Sequence, residues 1–252
     1  AKEADGALEP VTLNEVAHSI FYAPQYAAIE LGYFKDEGIA LTLVNGAGAD
    51  KVMTALISGD ADIGFMGSEA SIYVYQEGSA DYAVNFAQLT QRAGNFLVGR
   101  SAEPDFSWQD LKGKKVLGGR AGGMPEMVFE YILKKNGIDP KNDLTIDQSI
   151  NFGLTAAAFT SNDADYTVEF EPFATTLETE GNGTVVASLG VDSGYVPYTA
   201  YCARGSYLKE NEKTVQNFVN ALKKGMEYVS SHTPEEIAKT IQPQFKETDL
   251  DV

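Results

Sequence analysis

The chain changes its hydrophobic period again and again. Short runs of alternating or continuous apolar residues give way to a turn, then to an apolar stripe at helical spacing, and the cycle restarts. PVTLNEVA (10–17), IALTLV (39–44), ADIGFM (61–66) and DYAVNFAQL (81–89) read as strands. Between them lie helical segments. Tyr22, Tyr26, Ile29 and Tyr33 keep helical spacing behind Pro24, which suits a first helical position, and Gly32 suits a C-terminal cap. KVMTALISG follows the glycine-rich turn NGAGAD (45–50), with Asp50 as the expected cap. Such alternation predicts an α/β protein with parallel strands and helices on both faces.

The second half repeats the pattern. NFLVGR (95–100), the end of WQDLKGKKVLGG (108–119), DLTIDQSI, ADYTVEF and VPYTAYCAR (196–204) read as strands. AGGMPEMVFEYILKKNG (121–137) is the clearest helix: glycines and Pro125 open it, two lysines fill its last turn and Gly137 ends it. LTAAAFTSN reads as a shorter helix, residues 210–231 as a long amphipathic one, and Pro234 falls near the start of a last short one.

With 252 residues, of which 44% are hydrophobic, the chain can bury a sizeable core as one large domain or two smaller ones. Weak glycine-containing breaks near Gly94 and Gly190–Gly194 bracket a middle block. We therefore expect a discontinuous first lobe of residues 1–93 plus 196–252 and a second lobe of residues 94–195. The net charge of −17 argues against nucleic acid and anionic lipid as partners, since both demand clustered Lys and Arg. The single cysteine, Cys202, allows no intrachain disulfide and no cysteine-based zinc site, and the two histidines, His18 and His232, lie far apart. No metal site and no cofactor are expected. No apolar run approaches the roughly 18–20 residues needed to span a bilayer. AKEADGALEP lacks the regions of a signal peptide, so any leader is expected to have been removed already.

In parallel α/β sheets, ligands bind where strand ends meet helix starts. That rule selects the loops His18–Tyr26, Asn45–Asp50, Gly67–Ser71, Gly118–Pro125, Asn151–Thr155 and Glu169–Pro172. GGRAGGMPEM offers backbone N–H groups at a helix start, ready for an anion or polar group, but is neither a GxxxxGK[ST] nor a GxGxxG loop. Ser68 and Glu69 stand at another helix entrance, where Ser68 also suits a plain cap. Glu169 and Glu171 share one side of a strand; Glu171 serves either to accept bonds from a ligand amine or as a structural carboxylate. No GxSxG elbow, metal-ligand cluster or Cys–His pair supports catalysis, and His18 reads as a hydrogen-bonded loop histidine.

In order, HSIFYAPQYAAIELGYFKDEGI, KVMTALISGDADIGFMGSEAS, WQDLKGKKVLGGRAGGMPEM and NDADYTVEFEPFATTLE resemble the substrate-binding proteins of ABC importers of the sulfonate, nitrate and thiamine-precursor (NMT1/THI5-like) group. The resemblance spans residues 11–232, most of the chain. It implies a two-lobed periplasmic-binding-protein fold of type II, with two α/β domains joined by two crossover strands and a ligand cleft between lobes. It also implies a chain that continues past FKETDLDV. Carried onto this sequence, the ligand loops supply Ser19, Tyr22 and Pro24, then Gly46 through Gly48, then Ser68 and Glu69, then Gly122, Gly123 and Met124, and finally Glu171.

The candidate loops bring Glu69, Glu169 and Glu171 against one cation, Arg120, with Asn151, Phe152, Phe170, Tyr22 and Tyr26 adding amide and aromatic surfaces. Carboxylates with aromatics suit a planar heterocycle bearing an amino group, by hydrogen bonding and stacking. The expected ligand is an aminopyrimidine of the thiamine-precursor kind or a similar heterocycle, with a sulfonate, taurine or nitrate as the alternative on the same scaffold. An enzyme of the pyrimidine-synthase or menaquinone-pathway kind shares this fold, but the synthase's cysteine-rich motif is absent here. A receptor's ligand-sensing domain is the third reading. The resemblance further implies an ABC permease as partner, a monomer, and an extracytoplasmic location, as a periplasmic protein or as a cell-surface lipoprotein anchored outside the sequence given.

Overall fold

β1 (Glu9–Glu15) opens the chain's regular structure, and its inward side chains disappear into the core from Val11 onward. The computed structural model describes residues 7–151 and 153–252. Behind β1 come α1 (Ala23–Glu30), the one-turn α2 (Tyr33–Asp36) and β2 (Ile39–Asn45). Then follow α3 (Ala49–Ser58), β3 (Ile63–Met66), α4 (Glu69–Gln76) and β4 (Ala83–Thr90). The chain next builds β5 (Asn95–Gly99), β6 (Lys115–Leu117), α5 (Met124–Lys135), β7 (Thr145–Asp147) and α6 (Thr155–Ser161). β8 (Tyr166–Phe170), α7 (Phe173–Thr179), β9 (Thr184–Ser188) and α8 (Leu189–Ser193) complete that stretch, before β10 (Thr199–Arg204), α9 (Gly205–Glu210), α10 (Glu212–Ser231) and α11 (Pro234–Ile241).

These elements form two units. The first holds the described residues through Met66, Ala70–Leu89 and Ala200–Val252; the second holds Gly67–Glu69 and Thr90–Thr199. The first unit's sheet has the order β2-β1-β3-β10-β4 and the second unit's β7-β6-β8-β5-β9. β1 runs parallel to β2, with Leu13 opposite Leu43, and parallel to β3, with Leu13 opposite Ile63. β6 runs parallel to β7 and β8.

The expectation of parallel strands alone needs correcting. β10 is antiparallel to β3, and β5 is antiparallel to both β8 and β9. A parallel neighbour requires a crossover connection, usually a helix, to bring the chain back. β5 comes directly from β4, a strand of the other sheet, and β10 comes from β9 by way of α8, again a strand of the other sheet, so neither is joined to a preceding neighbour of its own sheet by a βαβ crossover. Helix starts also move inward. α5 begins at Met124 rather than 121, because Gly122 sits at φ 81° and Gly123 is the extended N-cap. Gly48, at φ 150°, takes the cap of α3 expected of Asp50, which lies inside the first turn.

Aromatic packing holds the first unit together. Tyr201 of β10 stacks on Phe65 of β3 with centroids 4.2 Å apart and meets Phe218 of α10 edge-on at 5.3 Å. α10 lies on α1 so closely that a Cβ at Gly225 would overlap the Pro24 carbonyl and stand 3.0 Å from the Ala28 Cβ. The obstacle is backbone and cannot swing aside. Gly225→Ala is expected to cost about 1–3 kcal/mol by overpacking, read as a lower urea midpoint in far-UV circular dichroism.

Candidate ligand-binding site

The loop after β1 is built around a buried acid that the sequence reading missed. Glu15, wholly buried, accepts bonds from Gln25 Nε2 at 2.8 Å, the Tyr26 hydroxyl at 2.9 Å and His18 Nδ1 at 2.6 Å. Tyr201 donates in turn to the Gln25 amide oxygen at 2.8 Å. The other His18 nitrogen, Nε2, faces the Gln244 carbonyl at 2.8 Å, and the ring stacks on Phe245. Both ring nitrogens therefore meet acceptors, an arrangement only the imidazolium satisfies in full. The bond to Glu15 pushes the His18 pKa up against the opposing effect of burial. One signal was available: Glu15 ends an alternating strand at an inward position, three residues before a histidine.

This network absorbs much of the first loop. Ser19 is buried; its hydroxyl accepts from the Phe21 N–H at 3.2 Å and caps a short 3₁₀ turn. Tyr22, 3% exposed, meets Phe65 edge-on at 4.5 Å, and Tyr26 is fully buried. Both aromatics thus belong to the first unit's core cluster. Pro24 lies in the first turn of α1. In the second loop, Gly46 donates to the Glu15 carbonyl, and a Cβ there would reach to 2.6 Å from Asn14 Oδ1, a buried acceptor with no hydrogen-bond partner among the described residues. Gly48 caps α3 beside Ala47, which holds a left-handed φ of 52°.

The second unit gathers the carboxyl groups. Glu169 in β8 is 2% exposed and accepts bonds from the Thr167 hydroxyl at 2.6 Å and the Thr155 hydroxyl at 3.0 Å. Burial outweighs those two bonds and pushes its carboxyl up to about 7. Glu171, joined to Pro172 by a cis peptide, is half-buried; its carboxyl accepts from the Thr175 N–H at 3.0 Å and hydroxyl at 2.8 Å, capping α7. Phe170 packs near Tyr198, centroids 6.5 Å apart. Ser68 donates to the Pro197 carbonyl at 3.0 Å.

Gly122, Gly123 and Met124 do form the start of α5, but protein carboxyls already meet the N–H groups there. Glu69, grouped with the second unit, accepts from the Met124 N–H at 2.9 Å, and Glu126 accepts from that of Gly122. Arg120 is half-buried and Asn151 exposed, its carbonyl accepting from the Leu154 N–H at 3.1 Å. Phe152 lies outside the described residues. Thr155 lies at the edge of a selected loop, but its bond to Glu169 fourteen residues on was not foreseen; Thr167 and Glu126 were missed although their partners, Glu169 and Gly122, are close in sequence. Cys202 is buried in β10, its thiol pushed up to about 12 by desolvation. Among the described residues no cluster of His, Cys, Asp and Glu could hold a metal ion, and no helix is long and apolar enough to cross a membrane.

Similarity to known proteins bears on these loops. The family model described as NMT1/THI5 like matches residues 20–237. YtlA of Bacillus subtilis strain 168, whose name carries only a provisional assignment as a binding protein, is 46% identical over 252 residues, covering 100% of this chain and 75% of YtlA. The 4-amino-5-hydroxymethyl-2-methylpyrimidine phosphate synthase THI11 of Saccharomyces cerevisiae is 25% identical over 229 residues, covering 83% of this chain and 63% of the synthase. Among solved structures, the alkanesulfonate-binding protein SsuA from Xanthomonas axonopodis pv. citri, bound to MOPS, superposes with a TM-score of 0.76 at 18% identity, over 98% of this chain and 82% of SsuA. That likeness fixes the architecture as the two-lobed periplasmic-binding-protein fold.

Proposed function

The chain belongs to the NMT1/THI5-like family, and from that premise we propose that it is an extracytoplasmic solute-binding protein that captures a small amino-bearing heterocycle and delivers it to an ABC permease. The observation that carries the ligand class is a set of carboxyls at strand ends: Glu69 at the start of α4 behind β3, and Glu169 and Glu171 at the end of β8. Acceptors of this kind suit ligand N–H groups and oppose an anion. A carboxyl poised near 7, as Glu169 is, offers an added match: one oxygen accepts from an exocyclic amine while the acid proton reaches a ring nitrogen. Aminopyrimidines of the thiamine-precursor kind carry that edge, and the yeast relative's name concerns such a pyrimidine. Ser19, Tyr22, Pro24, Gly46, Gly48, Ser68, Arg120, Gly122, Gly123, Met124, Asn151 and Phe152 remain proposed contacts.

Binding rather than catalysis follows from the commitments of the reactive side chains. His18 is held between Glu15 and Gln244, and Cys202 is buried with a raised thiol pKa. The test is calorimetry of the purified protein against 4-amino-5-hydroxymethyl-2-methylpyrimidine, simple amines, ethanesulfonate and nitrate. The expected result is saturable binding of the aminopyrimidine at micromolar concentration or tighter, with no turnover. Tight binding of a sulfonate alone would sink the ligand assignment.

A further inference from the structure

α5 is a twelve-residue helix whose first N–H groups emerge from a glycine loop, the arrangement that ordinarily receives an anion. Here the protein supplies the negative groups itself. Glu69 Oε1 accepts from the Met124 N–H at 2.9 Å. The side chain is 4% exposed, and its second oxygen, Oε2, is buried with no partner among the described residues. The absence of a side chain at Gly67 makes this placement feasible, since a Cβ there would collide with the Glu69 carboxyl. The second carboxyl at this helix start, Glu126, takes the Gly122 N–H. A buried acid with one satisfied and one unsatisfied oxygen is costly unless something completes it, because an unpaired buried acceptor loses its hydration without return.

We propose that the Glu69 carboxyl is a built-in anion that holds the Met124 amide against anionic ligands and leaves Oε2 to accept a bond from a ligand N–H or O–H. This rests on the solute-binding reading above and assigns its selectivity to one residue. A sulfonate or nitrate arriving at α5 would find the amide occupied and a carboxyl in its place. A neutral or cationic donor would instead satisfy the orphaned oxygen. Burial pushes the Glu69 carboxyl up, opposed by the bonds from its own N–H and that of Met124, which is the direction expected of a group short of donors.

Two variants of the full chain test the assignment. Glu69→Ala vacates the amide, and Glu69→Gln removes the charge while keeping an acceptor. Ethanesulfonate is titrated into each and into the parent, followed by calorimetry and by the ¹⁵N–¹H signal of Met124. For Glu69→Ala the expected result is about a tenfold or larger gain in ethanesulfonate affinity over the parent, equivalent to at least ~1.4 kcal/mol, with the Met124 signal moving on addition; for Glu69→Gln, whose amide oxygen still holds the Met124 N–H, loss of the charge gives a gain with the signal unmoved. Should Glu69→Ala lose its cooperative melt, Glu69→Gln carries the test. No gain in either folded variant, with a silent Met124 signal in Glu69→Ala, would overturn the proposal. The parent's response to the aminopyrimidine tests the ligand class separately, so a failure of that reading is distinguishable from a failure of this one.

Discussion

Glu15→Ala should remove about 3–5 kcal/mol from the first unit, the largest loss expected of any single substitution in it. Three donors, from His18, Gln25 and Tyr26, converge on that carboxyl, and the Tyr201–Gln25 bond continues the network into β10. Truncation leaves the Gln25 and Tyr26 donors without their acceptor in a place water does not reach, and His18, partly exposed, without its ion-pair partner. The effect should also depend on pH, with a definite sign. His18 has a raised pKa in the folded protein, so its contribution is fully present below the unfolded value of about 6.5 and is lost as pH rises through the raised folded value. The deficit of Glu15→Ala relative to the parent should accordingly be largest near pH 6 and shrink on the alkaline side. Urea unfolding followed by circular dichroism checks this. Fluorescence of Trp108, the chain's single tryptophan, reports the second unit instead, and its transition should scarcely move. A uniform deficit at every pH would mean that His18 takes no part in it.

The second large effect has the opposite sign. Glu169 is buried, and its carboxyl is pushed up to about 7. Because its folded pKa exceeds the unfolded value of about 4.3, the favourable contribution belongs to the protonated form. It is present below the unfolded value and is lost as pH rises toward 7 and beyond. At pH 8 the parent therefore carries a strain of about 3 kcal/mol from the ionised acid. Glu169→Gln should raise the second unit's stability by up to that amount at pH 8 and flatten its pH profile from about 4.3 to 7, read from the Trp108 transition. Equal stability of variant and parent at pH 8 would place the acid in an environment far better solvated than the structure indicates. Retaining an acid that weakens its own unit fits a group kept for binding, and the same variant should lose aminopyrimidine affinity.

The sequence spoke most clearly where local pattern and tertiary demand coincide. α5 was legible because its glycines, Pro125, terminal lysines and Gly137 all act within one helix. β10 was legible as a strand, since TAYCAR is almost wholly buried, but its direction was not, because the strand before it, β9, lies in the other sheet. β9 and α7 left no firm trace: TVVAS is half-buried throughout and shows no alternation, and α7 is a short run rich in threonine. The site divides in the same way. Strand-end loops could be chosen from topology, and Glu69, Glu169 and Glu171 stood out by chemistry. Tyr22 reads from the sequence as a ligand contact, and its edge-on packing against Phe65 depends on a residue 43 positions away that no local pattern announces. Glu15 shows the reverse, since a carboxyl at the end of a strand reads as solvated until its three donors are known.

The strand order of the first unit has a consequence for how the chain matures. β10 lies between β3 and β4, so an interior strand of that sheet is the last of its five to be synthesised. Until residue 204 emerges, β3 and β4 have no strand to join them, and Phe65 lacks the Tyr201 ring it stacks on. The second unit, contiguous from Thr90 to Thr199 apart from three residues, has all five of its strands before that point. Long-range pairing must wait for its loop to close, so a nascent chain of this connectivity holds one sheet with all its strands while the other still lacks the strand that joins its edge strand β4 to β3.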